Sequence, residues 1–333
     1  MAKKDLALLL GITGNLAFAA GCLLLALQRH SPHLNADIIL FHDAHLLLHD
    51  SRLLQRLGAQ LRPYRPPEED FDAAAIAKFS FLCLAKLEAF RLLDSYRHVI
   101  WLDADTAIQD DITPLKDYGP LSLAVEDPHF TEQGKSTSCK INVRQPVPDL
   151  DFLWPNYNSG VLVAGEELTE YGDVYGLCLE MLSQYAPVLK YPDQGILNML
   201  IQKLHCHHPH LFRPLPVDLY NAHPRNPLAD KAALLHAFGA YKLWDDGLTR
   251  CAFPEWARDY ERWLHLGGTG WQGEVSNPQC LRGGAFYLLR GLFDSIAAAQ
   301  NSLERMARDL DRERQLRSRL EKLLAREGHA HKP

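Results

Sequence analysis

The chain has no excess of positive charge, no long unbroken apolar run and no patterned cysteines, and each shortfall removes a class of function. Its 333 residues carry a formal net charge of -6, so a whole-domain nucleic-acid binder, which needs a basic face, is not expected. The 7 cysteines (Cys22, Cys83, Cys139, Cys178, Cys206, Cys251 and Cys280) are odd in number, scattered and free of C-x-x-C pairs. That is the usage of a reducing compartment, and it points to a cytoplasmic location. The apolar stretch from Leu16 to Leu27 is shorter than the roughly 20 residues that cross a bilayer. No internal repeat is found, which sets aside solenoids and propellers.

The composition that remains, 47% hydrophobic and 23% charged, is that of an ordinary globular protein. The length suits one large α/β domain with an appendage. The N-terminus admits two readings. Lys3 and Lys4 ahead of an apolar stretch, with Ala17-Phe18-Ala19 as a cleavage site, have the form of a signal peptide. A strand over 6–12, a Gly-Asn turn and a helix over about 18–28 explain Asp5, Gly11, Gly14 and Asn15 better, and this second reading is preferred.

Strand-like and helix-like runs alternate through the first two-thirds. The apolar runs 6–12, 37–42, 99–102, 121–125, 160–164 and 233–238 read as strands. Helical periodicity falls at about 44–60, 77–94, 175–184 and 195–203. This rhythm predicts an α/β fold with a mainly parallel central sheet flanked by helices. Residues 126–157 are irregular and hold Gly134, Pro146, Pro148 and Pro155, as a lid or acceptor loop would.

The C-terminal stretch differs in kind. Leu292, Ile296, Ala299, Leu303, Met306 and Leu310 recur in alternating steps of four and three, a heptad seam that slips near Glu313 and resumes at Leu316, Leu320 and Leu324. Such a helix either packs on its own domain or forms a coiled coil between subunits. The scarcity of apolar residues outside the seam favours the coiled coil, and so a homo-oligomer.

The strongest chemical signal is Asp103-Ala104-Asp105, just past the strand His98-Val99-Ile100-Trp101-Leu102. Two carboxylates one residue apart at the C-terminal end of a buried strand can both reach a hard cation, at the edge where open α/β sheets bind ligands. A divalent cation there can bridge and neutralise a diphosphate. Alone, D-x-D is a common turn sequence, so the surrounding blocks matter.

Those blocks carry a resemblance. Residues 86–93 (KLEAFRLL) with 96–106 (YRHVIWLDADT), 111–115 (DITPL), Asn158-Ser159-Gly160-Val161-Leu162, Asp193-Gln194-Gly195-Ile196-Leu197-Asn198, Leu215-Pro216 with Tyr220-Asn221, and the stretch 236–244 (HAFGAYKLW) resemble, in order, the segments of family 8 glycosyltransferases. The likeness spans roughly 6–245. It implies the GT-A nucleotide-sugar fold over 1–250; a segment over 251–287 is expected to complete the acceptor side, and the heptad seam predicts a helical oligomerisation or partner-binding tail over 288–327.

The resemblance implies a retaining transferase that moves a hexosyl unit from a nucleotide diphosphate sugar, a UDP-sugar by preference, to a hydroxyl of a glycan or glycolipid acceptor. Asp103, Asp105 and His236 would hold Mn²⁺ or Mg²⁺, the imidazole tilting the choice toward Mn²⁺. Gly239 would let the backbone approach phosphate, and Lys242 would supply it a charge. Gly11, Thr13, Asn15, Lys86, Ala104 and Asn158 would complete donor binding. Asp127, with Glu126 as the alternative match, and Asp193 and Gln194 would face the donor sugar. Three positions depart from the pattern. Leu16 stands where an aromatic usually stacks on the base, Gly195 replaces the second acid of D-Q-D, and Leu243 replaces the proline of K-P-W.

Rival readings are a nucleotidyltransferase, disfavoured because Gly11-Ile12-Thr13-Gly14-Asn15 lacks a basic residue, a self-glycosylating enzyme, which needs a reachable acceptor tyrosine, and a non-catalytic scaffold acting through the tail. The tract His205-Cys206-His207-His208-Pro209-His210 has its ligands too close in sequence for a tetrahedral zinc site. Trp256, Tyr260, Trp263 and Trp271 read first as packing, and second as an acceptor platform or a peripheral contact with the inner face of a membrane.

Overall fold

The computed structural model describes residues 3–65, 80–126, 154–224, 226, 228–239, 242–244 and 253–272, and in the tail residues 303, 305–308, 310 and 313. The first elements are β1 (Lys4–Ile12), a 3₁₀ turn at Gly14–Leu16, α1 (Ala17–His30), β2 (Asp37–His42), α2 (Leu48–Arg56) and β3 (Ala59–Pro63). A 3₁₀ segment (Phe81–Leu87) leads into α3 (Glu88–Leu92), β4 (Tyr96–Asp103), β5 (Thr106–Ile108), β6 (Leu121–Val125) and β7 (Tyr157–Gly165). Then come α4 (Val174–Tyr185), α5 (Pro192–His207), α6 (Val217–Tyr220), β8 (Leu234–His236) and α7 (Pro254–His265).

A six-stranded sheet runs in the order β3-β2-β1-β4-β7-β6, and β5 pairs with β8 in a separate ribbon. The pairs β2–β3, β1–β2 and β1–β4 are parallel, whereas β7 runs antiparallel to both neighbours. This is the mainly parallel, helix-flanked sheet expected from the alternating rhythm.

The continuous apolar run of β1 reflects burial on both faces. Leu6, Leu8, Leu10 and Ile12 point into the layer of α1, while Ala7 and Leu9 point into the opposite layer with Phe90, Leu179 and Leu197. The signal-like N-terminal stretch thus forms a central strand and a helix buried along its length. Gly21 lets α7 pack against α1, since a Cβ there would lie 2.2 Å from the Trp263 ring. Trp256, Tyr260 and Trp263 are buried beside α1, and Phe18 meets the rings of Tyr260 and Trp271 edge-on at 5.6 and 5.7 Å. The aromatic stretch is therefore packing, and none of these three rings offers an open platform.

Three local expectations need correction. The helix read over 44–60 ends at Arg56, because Gly58 takes φ +101°, a conformation that terminates helices, and the remainder is β3. The helix read over 77–94 is a 3₁₀ segment followed by a short α-helix, with residues 77–79 outside the described ones. Strand β5 was not anticipated. Most of the irregular 126–157 stretch, including Asp127, also lies outside the described residues.

The chain divides into two compact units, 1–284 and 285–333. Within the second, the described residues Leu303, Met306 and Leu310 are helical and exposed. Among the described residues no helix is long and apolar enough to cross a membrane.

Candidate active site

The site lies past the C-terminal ends of β1 and β4. Their register sets Gly11 beside Asp103, so the 11–16 turn and the D-A-D turn share one edge. Thr106 Oγ1–H donates to the Asp103 carbonyl at 2.8 Å, which tightens the turn between β4 and β5. The β5–β8 ribbon pairs Thr106 with His236, and the Ala237 N–H donates to the Asp105 carbonyl at 2.9 Å. Backbone pairing alone thus carries His236 across more than a hundred residues to the two acids.

Asp103, Asp105 and His236 can each point one ligand atom so that all lie within 4.8 Å of one another. His236 Nε2 is 3.2 Å from Asp105 Oδ1 and 3.8 Å from Asp103 Oδ2. Two partly open carboxylates and a buried imidazole that converge suit a divalent cation. Among the described residues the histidine tract at 205–210 brings no such group together.

Each acid is held by a neighbour. Trp101 Nε1–H donates to Asp103 Oδ1 at 2.6 Å. Gly11 makes that possible, since a Cβ there would lie 2.5 Å from the Trp101 ring. Lys242 pairs with Asp105 and also donates to the Ala237 carbonyl at 2.8 Å. Burial disfavours a charged Asp105, but Lys242 and His236 beside it prevail and hold its carboxyl well below the usual range.

Lys86 is 2% exposed. Its ammonium sits 2.7 Å from Asp193 Oδ2 and 3.2 Å from Asp103 Oδ1, and donates to Ser159 Oγ at 3.0 Å. Burial opposes its charge, yet Asp103 and Asp193 outweigh it and raise its pKa above the ordinary lysine value. Lys86 therefore stays protonated and ties β4, β7 and α5 together at the site.

The segment Asn158-Ser159-Gly160 forms the far wall. Ser159 Oγ–H donates to Asp193 at 2.9 Å, and Asn158 Oδ1 accepts from the Gly160 N–H at 2.9 Å. Gly160 has a steric reason, because a Cβ there would lie 2.0 Å from His236 Cε1. Gln194 Nε2 donates to Glu126 Oε1 at 2.8 Å, while its Oε1 accepts from the Ser159 N–H at 3.3 Å and from Asn158 Nδ2 at 3.5 Å. Asn198 bonds both backbone groups of Tyr157 and the Gln194 carbonyl, so it locks α5 onto β7. At Gly195 a Cβ would meet the tip of the Leu189 side chain at 2.7 Å, so the acid of D-Q-D would require that leucine to move.

The 11–16 turn is close by. Thr13 Oγ1–H donates to Asn15 Oδ1 at 2.6 Å, and the Gly14 N–H donates to Asp43 Oδ1 at 2.9 Å. Leu16 is partly buried against the core. Gly239 takes φ +76°, the left-handed conformation that favours glycine. The structure thus joins Lys86, Asp103, Asp105, Asn158, Asp193, Gln194, His236 and Lys242 through one network of ion pairs and hydrogen bonds that runs by way of Ser159, with Gly11 beside Asp103. Asp127 lies outside the described residues. Sequence reasoning missed Trp101, Ser159 and Asn221 as partners of the site, although each stood inside or beside a quoted block.

Residues 7–247 match the sequence model of glycosyl transferase family 8. No curated relative matches the chain. Among solved structures, the galactosyltransferase LgtC in complex with donor and acceptor sugar analogues is 16% identical, with a TM-score of 0.56 over 78% of this chain and 99% of that one. The bifunctional glycosyltransferase WbbM is 16% identical, with a TM-score of 0.59 over 80% of this chain and 52% of that one. The glycosyltransferase GlyE of Streptococcus pneumoniae TIGR4 is 15% identical, with a TM-score of 0.50 over 80% of this chain and 64% of that one. At these identities the likeness to the three structures is one of fold.

Proposed function

The chain belongs to glycosyl transferase family 8 and is therefore a glycosyltransferase, and we propose that it transfers a hexosyl unit from a nucleotide diphosphate sugar, with retention, to a hydroxyl of a glycan or glycolipid. The observation that carries this reading is the convergence of Asp103, Asp105 and His236 beside Lys242 and the Gly11 turn. Asp103, Asp105 and His236 would hold a divalent cation, Mn²⁺ in preference to Mg²⁺, which supplies Lewis-acid stabilisation to a departing diphosphate.

Cleavage of the bond between the anomeric carbon and the diphosphate leaves negative charge on the leaving oxygen. Lys242, which is partly exposed beside Asp105, would meet that charge. Gly11, Thr13 and Asn15 would seat the nucleoside, while Ala104 and Gly239 would let backbone approach the donor. Asn158, Asp193, Gln194 and Asp127 would line the sugar. Gln194 Oε1 already accepts two hydrogen bonds, and a neutral amide is a weak nucleophile. Those facts favour attack by the acceptor from the leaving-group face, its proton passing to the departing diphosphate oxygen.

The proposal extends to the domain plan: a catalytic body over 1–250, an acceptor-side segment over 251–287 and an oligomerising tail over 288–327. Exposed Leu303, Met306 and Leu310 on helical tail residues support the last part. The assay is release of nucleoside diphosphate from a panel of nucleotide sugars, with Mn²⁺ and with chelator. Mn²⁺-dependent release from one sugar donor is expected, and undiminished release in chelator would sink the metal-dependent reading.

A further inference from the structure

His236 has two ring nitrogens with different surroundings. Nε2 faces Asp105 and Asp103, and Nδ1 lies 3.0 Å from Oδ1 of Asn221. Asn221 is fully buried. It sits at the end of α6, its N–H donating to the Val217 carbonyl at 3.1 Å, and the next residue accepts the His236 N–H at its carbonyl at 2.9 Å. The backbone therefore holds amide and imidazole in register. Gly160 packs against the ring, where a Cβ would strike it.

A neutral imidazole binds a cation only through its unprotonated nitrogen, so the proton must reside on the other one and needs an acceptor there. Asn221 Oδ1 is that acceptor, and it is neutral. A carboxylate in its place would add a further negative charge to a site that already holds Asp103, Asp105 and Asp193. Asn221 Nδ2 is buried without a hydrogen-bond partner. An amide kept only to hold the local backbone and packing would be expected to satisfy its NH₂ group as well. Its oxygen, aimed at the ring, is what the site uses.

We propose that Asn221 is a positioning residue that fixes the tautomer of His236, holding the proton on Nδ1 so that the Nε2 lone pair faces the cation between Asp103 and Asp105. This rests on the metal reading given above. Asn221 does not touch donor or cation, so its effect is on cation affinity before any sugar is bound.

The test is direct Mn²⁺ binding to the full chain without nucleotide, read from the electron paramagnetic resonance of free Mn²⁺. Asn221→Leu, similar in size and without an acceptor, is expected to weaken affinity about 10- to 100-fold. Asn221→Asp, which keeps the acceptor, should bind Mn²⁺ at least as tightly as the parent. A second readout needs no variant at the site: nitrogen-15 spectra of histidine-labelled, Cd²⁺-loaded protein should show His236 protonated at Nδ1. Equal affinity in Asn221→Leu, or protonation at Nε2, would overturn the role of Asn221. Failure of the parent chain to bind Mn²⁺ would instead overturn the metal reading on which it stands. If Asn221→Leu does not fold, Asn221→Asp and the spectrum decide: a loss of affinity in Asn221→Asp counts against the proposal.

Discussion

Replacing Asp103 or Asp105 by alanine should reduce glycosyl transfer by roughly three orders of magnitude or more, the scale on which removal of one preorganised stabilising group is felt in a transition state. Asp103 is the last residue of β4 and Asp105 follows in the turn; both carboxylates are outside the hydrophobic core and partly open, with side-chain exposures of 27% and 18%. Truncation there leaves no cavity inside the core, so the thermal midpoint should move by only a few degrees. Asp103→Asn is the sharper control, because its amide oxygen can still accept from the Trp101 indole while the negative charge is gone. The measurement is steady-state turnover with Mn²⁺, paired with circular dichroism. Near-parental, metal-independent activity in either alanine variant would show that these residues are not the cation site.

Lys86→Met should be the most destabilising substitution of a charged residue at the site. The ammonium is almost completely buried and is shared by Asp193, Asp103 and Ser159. Removing it leaves buried carboxylate charge without a counter-ion, which costs about 3–5 kcal/mol in comparable cases. For a body of this size, that is a fall in thermal midpoint of roughly 10 °C. Methionine fills the aliphatic volume, so the loss reports charge rather than packing. The effect has a definite partner: adding Asp193→Asn to Lys86→Met should recover part of the stability, since it removes one orphaned charge. A Lys86→Met variant as stable as the parent would mean that the ammonium does not hold β4, β7 and α5 together, and that its role is confined to the ligand.

Much of this architecture was legible because strands buried on both faces write their burial into sequence as unbroken apolar runs. The runs 6–12, 99–102 and 160–164 read as strands for that reason, and they fall inside β1, β4 and β7. What stayed hidden had a physical cause. β3 and β5 are short, and their few residues fit a helix or a loop as well as a strand. The Phe81–Leu87 segment keeps helical spacing in its side chains while its backbone winds as 3₁₀. The direction of β7 is invisible to hydrophobic periodicity, which is the same for parallel and antiparallel neighbours.

At the site, the acids, the histidine and the lysines could be named from residue type and order. Their supports could not, because a Trp101 indole or an Asn221 amide looks like core or loop until its partner atom is located. The glycines are the instructive case. Gly11, Gly160 and Gly195 each have a steric reason, against Trp101, His236 and Leu189 respectively, and none of those neighbours is near in sequence except Leu189.

The central claim is that Asp103, Asp105 and His236 form a cation site that receives a nucleoside diphosphate. A thermal-shift titration with UDP and other nucleoside diphosphates, with Mn²⁺ and with chelator, tests it most directly, since a ligand of the folded state raises the midpoint by mass action. A rise that needs both Mn²⁺ and the diphosphate, and that is lost in Asp105→Ala, is the predicted result. An equal rise in chelator, or no response to any nucleotide from folded protein, would contradict the account.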